Sequence, residues 1–258
     1  TRLVRFDRPM LTIPHLAIHF NRAVNDGNPL SRQKDMLPVL GHISHEMEAG
    51  GLLRTLVSEK LQVEAGEILD FDLMLYDTTP ACRIGLDSEF VSAGRLDDLS
   101  MVHAGMSAML EAVSQPCAAT RVLAVFDNEE TGSGTKQGAA SPVLQQALRR
   151  ITYALGGVDE DYLRAVSRSF MVSADNAHGI HPNYPEKHDP TNHPVLGGGP
   201  VIKINANCKY MTDAESASVF MEICRQADVP FQQFVNHSDV AGGSTLGNIL
   251  TSQIDLRG

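Results

Sequence analysis

Two adjacent glutamates, Glu129 and Glu130, follow the apolar run 122–126 and open a glycine-bearing turn. A short apolar run bounded by turn residues is typical of a strand buried in a parallel sheet, and such sheets carry their functional residues just beyond the carboxyl ends of the strands. Neighbouring residues point in different directions, so the two carboxylates should have different roles. In metal-assisted hydrolysis one carboxylate can hold a metal ion while another moves a proton.

Further acidic residues occur at equivalent places in the sequence. Asp97 and Asp98 open a predicted helix, and Asp175 follows the apolar run 170–174. These residues would lie with the glutamates on one rim of the sheet. A dinuclear zinc site needs a carboxylate that bridges two ions, further carboxylate and imidazole ligands, and a general base. The sequence supplies the carboxylates, whereas histidines at matching strand ends are scarce.

Each acid also has a purely structural interpretation. Asp97 or Asp98 could cap the helix by accepting hydrogen bonds from free backbone N–H groups. Glu129 and Glu130 could lie in a solvated turn, and Asp175 could bond its own backbone in an Asx-turn. The convergence of the three positions favours the metal site, but no single position decides it.

The elements that would position these acids alternate between strands and helices from residue 88 onward, which favours a mostly parallel sheet with helices on its faces. Strands are predicted at 89–92, 122–126, 170–174, 201–204 and 230–235. Helices are predicted with an apolar stripe from Leu99 to Val113, from Ser141 onward, and over 213–226. The Pro-, His- and Asn-rich segment 179–200 reads as a long loop.

The earlier part of the chain has a different texture and predicts a separate small α+β unit. Residues 14–23 and 51–61 read as helices. Apolar and polar residues alternate over 69–75, which predicts a half-exposed strand.

Composition excludes several classes of partner. A formal net charge of −10 with no block of Lys or Arg argues against nucleic acid and anionic membranes. No apolar stretch approaches the ~20 residues of a membrane span, and no leader is seen. The 4 cysteines lack zinc-ribbon spacing and favour a reducing cytoplasm. Both ends read as the interior of an element, which predicts a fragment of a longer chain.

Four segments resemble successive motifs of the aspartyl aminopeptidase family. They are GRLDDL at 94–99, DNEETGS at 127–133, SADNAHGIHPNY at 173–184 and GPVIKIN at 199–205, and PHLAIH at 14–19 is similar as well. The resemblance implies an intracellular enzyme that removes an acidic amino-terminal residue, Asp or Glu, from peptides. It also implies an α/β fold, with a three-layer α/β/α catalytic domain and an inserted, smaller β-rich dimerisation domain. Residues 1–84 would be part of the inserted domain, and residues 85–258 part of the catalytic domain.

The resemblance assigns roles to the acidic residues. Asp97 would bridge two Zn²⁺ ions, Glu130 and Asp175 would each bind one of them, and Glu129 would be the general base. Asp98 would cap the helix. Co²⁺ or Mn²⁺ are possible replacements for zinc.

The resemblance also assigns substrate contacts and partners. Lys203, Tyr210 and His178 would contact the substrate, and the lysine charge would favour an acidic first residue. His19 would reach the active site of a neighbouring subunit, within dimers that assemble into a closed dodecamer. The structural alternative for Lys203 is a surface charge on an edge strand, and for His19 a place on the face of a short helix.

Some expected ligands have no counterpart here. The family carries a His-Thr-Asp motif and a later Met-His pair, and none of the 10 histidines occupies either position. Holding three of five ligands, this chain alone is expected to bind zinc poorly and to be inactive. His42 and His45 could replace the missing ligands, although exposed loop histidines need no metal to explain them. Abrupt joins around 25–41 and 82–87 suggest missing internal residues.

Two other functions stay open at this point. One is a metal-dependent deacylase or an aminopeptidase of broad specificity. The other is a non-catalytic assembly or binding protein of the same fold that has lost its metal site.

Overall fold

The structure is a computed structural model that describes residues 1–42 and 51–258. The chain divides into two compact units, Thr1–Gly94 and Arg95–Gly258. Helices and strands occur in both units, which confirms the predicted α/β class. The domain roles inferred for residues 1–84 and 85–258 stay predictions.

The described residues of the first unit contain a helix and a hairpin. Helix α1 (Leu52–Leu61) confirms the helix predicted at 51–61. Strands β1 (Cys82–Ile84) and β2 (Phe90–Ser92) pair antiparallel, with Ile84 opposite Phe90. Gly85 begins the turn between them with φ +105°, and a Cβ there would lie 2.2 Å from Glu89 Oε2, so the turn requires glycine.

Two predicted elements of the first unit are wrong. Residues 14–23 form turns, since bonds such as Phe20 N–H to Ala17 O at 2.8 Å close single i to i+3 turns that do not propagate. Apolar and polar residues alternate over 69–75 as they would in a strand, but this segment pairs with no strand in the described part of the chain. A strand needs a neighbour to bond its backbone groups, which alternation alone cannot supply.

The second unit is mainly helical and contains one pair of parallel strands. Its helices are α2 (Leu96–Val113), α3 (Val143–Ala154), α4 (Asp159–Ser167), α5 (Ala214–Gln226) and α6 (Leu246–Leu250), and its strands are β3 (Val201–Ile204) and β4 (Gln232–Val235). The helices predicted at α2, α3 and α5 are confirmed. Among the described helices, none has the length and apolarity that a membrane span requires.

A βαβ unit places the lysine of the candidate site. Strand β3 leads through α5 to β4, and the strands pair in parallel with Lys203 opposite Phe234. Helix α5 begins where the Asp213 carboxylate accepts a hydrogen bond from Ser216 N–H at 2.8 Å and so caps the helix. Both strands confirm their predictions.

The sheet predicted from residue 88 onward is reduced to β3 and β4 in the described residues. The strand predicted at 89–92 is present as β2, but it pairs antiparallel with β1 in the first unit. The strands predicted at 122–126 and 170–174 are wrong. The second keeps only a bridge between Phe170 and Arg257. Apolar runs predict burial, whereas a strand also needs a partner for its backbone.

These two runs still pack on the core of the second unit. The core cluster consists of Tyr162 and Val166 of α4, Leu250 of α6 and Ile254. Phe126 and Met171 pack against it. The cluster therefore fixes the ends of the two segments that lead to the glutamate pair and to Asp175.

The long loop predicted at 179–200 is held against β4. The Gln232 side chain accepts a hydrogen bond from Val195 N–H at 2.9 Å and donates one to Gly199 O at 3.3 Å. Earlier in the loop, His188 forms an antiparallel bridge with Asn236, the residue that directly follows β4. One strand thus anchors the loop near its end.

Candidate metal centre

Asp97 and Asp98 lie in the first turn of α2, where the backbone is not helical. Asp97 has φ −85° and ψ 115°, Asp98 has φ −115° and ψ 22°, and a cis peptide bond joins them. Arg95 is the N-cap residue of α2, and its side chain forms no capping hydrogen bond with the helix. Asp98 Oδ1 is buried and has no hydrogen-bond partner among the described residues. The capping role predicted for Asp98 is therefore wrong.

Three carboxylates converge in the second unit. Asp97, Asp98 and Asp175 each offer an oxygen, and these oxygens lie within 4.8 Å of one another. Lys203 reaches the group from β3, with its Nζ 2.5 Å from Asp175 Oδ2. The structure thus brings together Asp97, Asp98, Asp175 and Lys203, all of which the sequence singles out.

The carboxylates carry more negative charge than the lysine neutralises. Burial raises the pKa of Asp97, and the nearby charges of Asp175 and Glu130 raise this pKa further, while Lys203 lowers it. Burial and then the charges of Asp175 and Asp97 raise the pKa of Asp98 to about 6. Such shifts arise where anionic groups crowd together without enough cations, and they mark functional sites more often than ordinary surface.

The glutamate pair belongs to the same electrostatic site. Partial burial raises the pKa of Glu129, and the charges of Glu130, Asp175 and Asp97 raise this pKa further. The turn that carries the pair is held by its own hydrogen bonds, including one from Ser133 Oγ to Glu129 O at 2.9 Å. All four acids to which the resemblance gives a role in catalysis or zinc binding therefore interact through their charges.

The donor set fits a cation. Carboxylate oxygens are normal zinc ligands, and a divalent ion among them would supply the positive charge that the site lacks. The unpartnered, buried Asp98 Oδ1 is a further free acceptor. The metal-competent group found within the described chain contains carboxylates alone. His42, in the first unit, is exposed, and His45 lies outside the described residues.

Lys203 and Tyr210 line one cavity beside the carboxylates, together with Asp175. Lys203 Nζ lies 5.7 Å from the centre of the Tyr210 ring, within range of a cation–π contact. Burial and then the Asp175 charge raise the pKa of Tyr210. The Lys203 side chain is half-buried, which argues against the alternative interpretation of this residue as a surface charge on an edge strand.

Of the two predicted substrate-contacting histidines, His178 does not line the cavity of Lys203 and Tyr210. His178 lines a different pocket, formed by the long loop and lined also by His181, Tyr184, Lys187 and His188. In that loop His181 N–H donates to His188 Nε2 at 2.9 Å. His19 is exposed and lies in the first unit. The roles of both histidines stay predictions.

Sequence reasoning gives no role to Asn176, which contacts the start of α2. Its Nδ2 donates to Leu96 O at 2.9 Å, and its Oδ1 accepts from Ser100 Oγ at 3.0 Å. The available signal was its place directly after Asp175. That signal did not distinguish it from the other polar residues of the same motif.

Comparison with known proteins agrees with these observations. The sequence profile of the family described as "Aminopeptidase I zinc metalloprotease (M18)" matches residues 1–258. Two similar curated relatives are the "Probable M18 family aminopeptidase 2" of Clostridium novyi (strain NT), 49% identical over 257 residues, and of Pseudomonas aeruginosa (strain UCBPP-PA14), 43% identical over 262 residues. Each match covers 100% of this chain and 59% of the relative, so the chain spans about three fifths of the relatives' length.

Solved structures of similar proteins show the same fold. The cryo-EM structure of the Ape4 and Nbr1 complex superposes with a TM-score of 0.90 at 32% identity, covering 98% of this chain and 52% of that chain. The S. cerevisiae mApe1 dodecamer superposes with a TM-score of 0.71 at 26% identity, covering 89% of this chain and 53% of the other. The resemblance to aspartyl aminopeptidases is confirmed at the level of the family. This chain belongs to the aminopeptidase I zinc metalloprotease (M18) family.

Proposed function

We propose that this chain forms most of the active site of a zinc aminopeptidase that removes an acidic amino-terminal residue from peptides. The observation that carries the proposal is the convergence of Asp97, Asp98 and Asp175 beside Lys203, within electrostatic reach of the glutamate pair. Membership of a zinc metalloprotease family supports zinc as the ion. We also propose that each subunit binds two zinc ions.

Each acidic side chain has a distinct task in this proposal. Asp97, Glu130 and Asp175 would hold the zinc ions, with Asp97 as the ligand that the two ions share. Zinc, when bound, polarises the scissile carbonyl and lowers the pKa of the attacking water. Glu129 would accept a proton from the attacking water and donate it to the leaving amine.

Lys203 is proposed to select substrates with an acidic first residue. Its ammonium lies in the cavity that Asp175 and Tyr210 also line, so a peptide held at the metal centre would place its first side chain nearby. The aromatic ring beside the lysine also stabilises the positive charge. A substrate carboxylate would add a second partner for this charge beside Asp175, whereas an apolar side chain would not.

In the complete gene-encoded protein, Lys203→Ala should lower kcat/KM for Asp- and Glu-terminal peptides relative to a Leu-terminal peptide by about 10- to 100-fold, because a charge-assisted hydrogen bond is lost. The ratio of substrates is the informative quantity, since the lysine also contacts Asp175. Lys209→Ala, which removes an exposed neighbouring charge, is the matched control. An unchanged ratio would exclude Lys203 from selectivity and favour the broad-specificity alternative.

Self-association into dimers and a dodecamer is proposed as well, with His19 entering a neighbour's active site. The residues that flank His19 expose apolar side chains: Leu16 is 62% exposed, Ile18 53% and Phe20 81%. Apolar clusters of this kind are typical of protein–protein contacts. One of the structures with this fold is a dodecamer, which supports the proposal.

A charge placed in this patch should break the assembly and with it the activity. Phe20→Asp is expected to shift the complete protein to smaller species in size-exclusion chromatography and to lower kcat/KM by about 10-fold or more, as loss of a hydrogen bond to substrate would. Leu69→Asp, at an equally exposed leucine of the same unit, is the control. Full activity in a monomer would contradict the role of His19.

A further inference from the structure

The Asn176 side chain joins two segments that lie far apart in sequence. It donates from Nδ2 to Leu96 O at 2.9 Å and accepts at Oδ1 from Ser100 Oγ at 3.0 Å. The partners precede Asn176 by 80 and 76 residues, so these bonds are tertiary contacts and not features of a local turn. Both atoms of one amide group are therefore used, and both bonds have normal lengths.

The two partners of Asn176 bracket the acidic turn at the start of α2. Leu96 directly precedes Asp97, and Ser100 lies two residues beyond Asp98. The backbone is not helical at either aspartate, and Arg95, the N-cap residue, contributes no side-chain cap. One backbone bond, from Leu99 N–H to Arg95 O at 3.3 Å, closes the turn, and the two bonds of Asn176 hold it from outside the helix.

Asn176 also fixes the other side of the carboxylate group. It directly follows Asp175, and consecutive Cα atoms are about 3.8 Å apart. Holding the Asn176 amide on α2 therefore limits how far Asp175 can move from Asp97. Crowded carboxylates repel one another in the absence of a cation, and this repulsion would otherwise separate the two segments.

We propose that Asn176 is a positioning residue that sets the spacing between Asp97 and Asp175 and thereby increases the affinity of the site for zinc. This inference rests on the proposed function. The geometry requires one donor and one acceptor on a short, planar group. Aspartate at this position would lose the donor, alanine would lose both bonds, and glutamine would displace both by one methylene group.

The test compares zinc affinity in the complete gene-encoded protein and in its Asn176→Ala variant, by competition with a chromophoric chelator. Outer-shell partners of metal ligands typically contribute 10- to 100-fold to metal affinity, so a loss of about 10-fold or more is expected. Because Asn176 touches neither zinc nor substrate in this proposal, excess zinc should restore most of kcat and leave KM near the wild-type value. A residue that only stabilised the fold would lower the melting temperature of the metal-free protein without this zinc dependence.

Two further variants keep the test decisive. Ser100→Ala removes one of the two bonds with little change in volume, and it should weaken zinc binding less than Asn176→Ala does. Asn207→Ala, at an exposed asparagine of the same unit, should leave the zinc affinity unchanged. Wild-type zinc affinity in Asn176→Ala would overturn the inference and leave the proposed function intact. If Asn176→Ala fails to fold, wild-type affinity in Ser100→Ala would overturn it. A wild-type protein that binds no zinc would overturn both.

Discussion

Replacing Glu129 by glutamine in the complete, zinc-loaded protein is expected to lower kcat by about 10²- to 10⁴-fold while the zinc content stays the same. Glutamine keeps the shape of the side chain, but its amide cannot accept a proton from water and return it to the leaving amine. Glu129 interacts electrostatically with Glu130, Asp175 and Asp97, so it lies within the group of acids that would surround the metal ions.

Steady-state hydrolysis of an Asp-terminal peptide and elemental analysis of the same sample check this prediction together. Glu186→Gln, at an exposed glutamate of the long loop, serves as the matched control and should retain full activity. Retained activity in Glu129→Gln would remove it as the general base. A loss of zinc in that variant would instead make Glu129 a metal ligand and would exchange the roles proposed for the pair.

The second large effect concerns Asp97. Because a bridging carboxylate binds both ions, Asp97→Ala should reduce the zinc content of the complete protein from two ions per subunit to nearly none. Glu130→Ala and Asp175→Ala, which each remove a ligand of one ion, should lose one ion more readily than the other. Loss of the site should also abolish measurable hydrolysis.

Mass spectrometry under native conditions measures this stoichiometry directly. Asp255→Ala, at an exposed aspartate of the same unit, is the control and should keep both ions. Asp98→Ala is the informative comparison, because the structure places Asp98 in the same carboxylate group. If Asp98→Ala empties the site and Asp97→Ala does not, the bridging role belongs to Asp98.

Local sequence signals predicted several of the helices and two of the strands. Helix α5 begins close to the start of the predicted helix at 213–226, and β3 and β4 lie within the strands predicted at 201–204 and 230–235. The runs at 122–126 and 170–174 carry equally good apolar patterns, yet they are not strands here. Whether an extended segment becomes a strand depends on a partner elsewhere in the chain, and a single run carries no information about that partner.

The candidate site also combines features that the sequence predicts with features that depend on distant parts of the chain. The convergence of the acidic residues was predicted from the ends of neighbouring strands, but the runs at 122–126 and 170–174 do not form strands, and Phe126 and Met171 of these runs pack on the core instead. The burial of Asp98 Oδ1 and the two bonds of Asn176 depend on how the start of α2 meets a loop about 80 residues away. Because Asp98 follows Asp97 and Asn176 follows Asp175, the sequence identifies Asp98 and Asn176 as neighbours of the site. It does not show whether each of them caps a helix, binds a metal ion or positions another residue.

The most direct test of the metal centre is anomalous diffraction at the zinc edge from crystals of the complete gene-encoded protein. Two zinc peaks should lie among Asp97, Glu130 and Asp175, with Asp97 contacting both ions and Glu129 contacting neither. Absence of anomalous density among these carboxylates in zinc-loaded crystals would contradict the proposed dinuclear site.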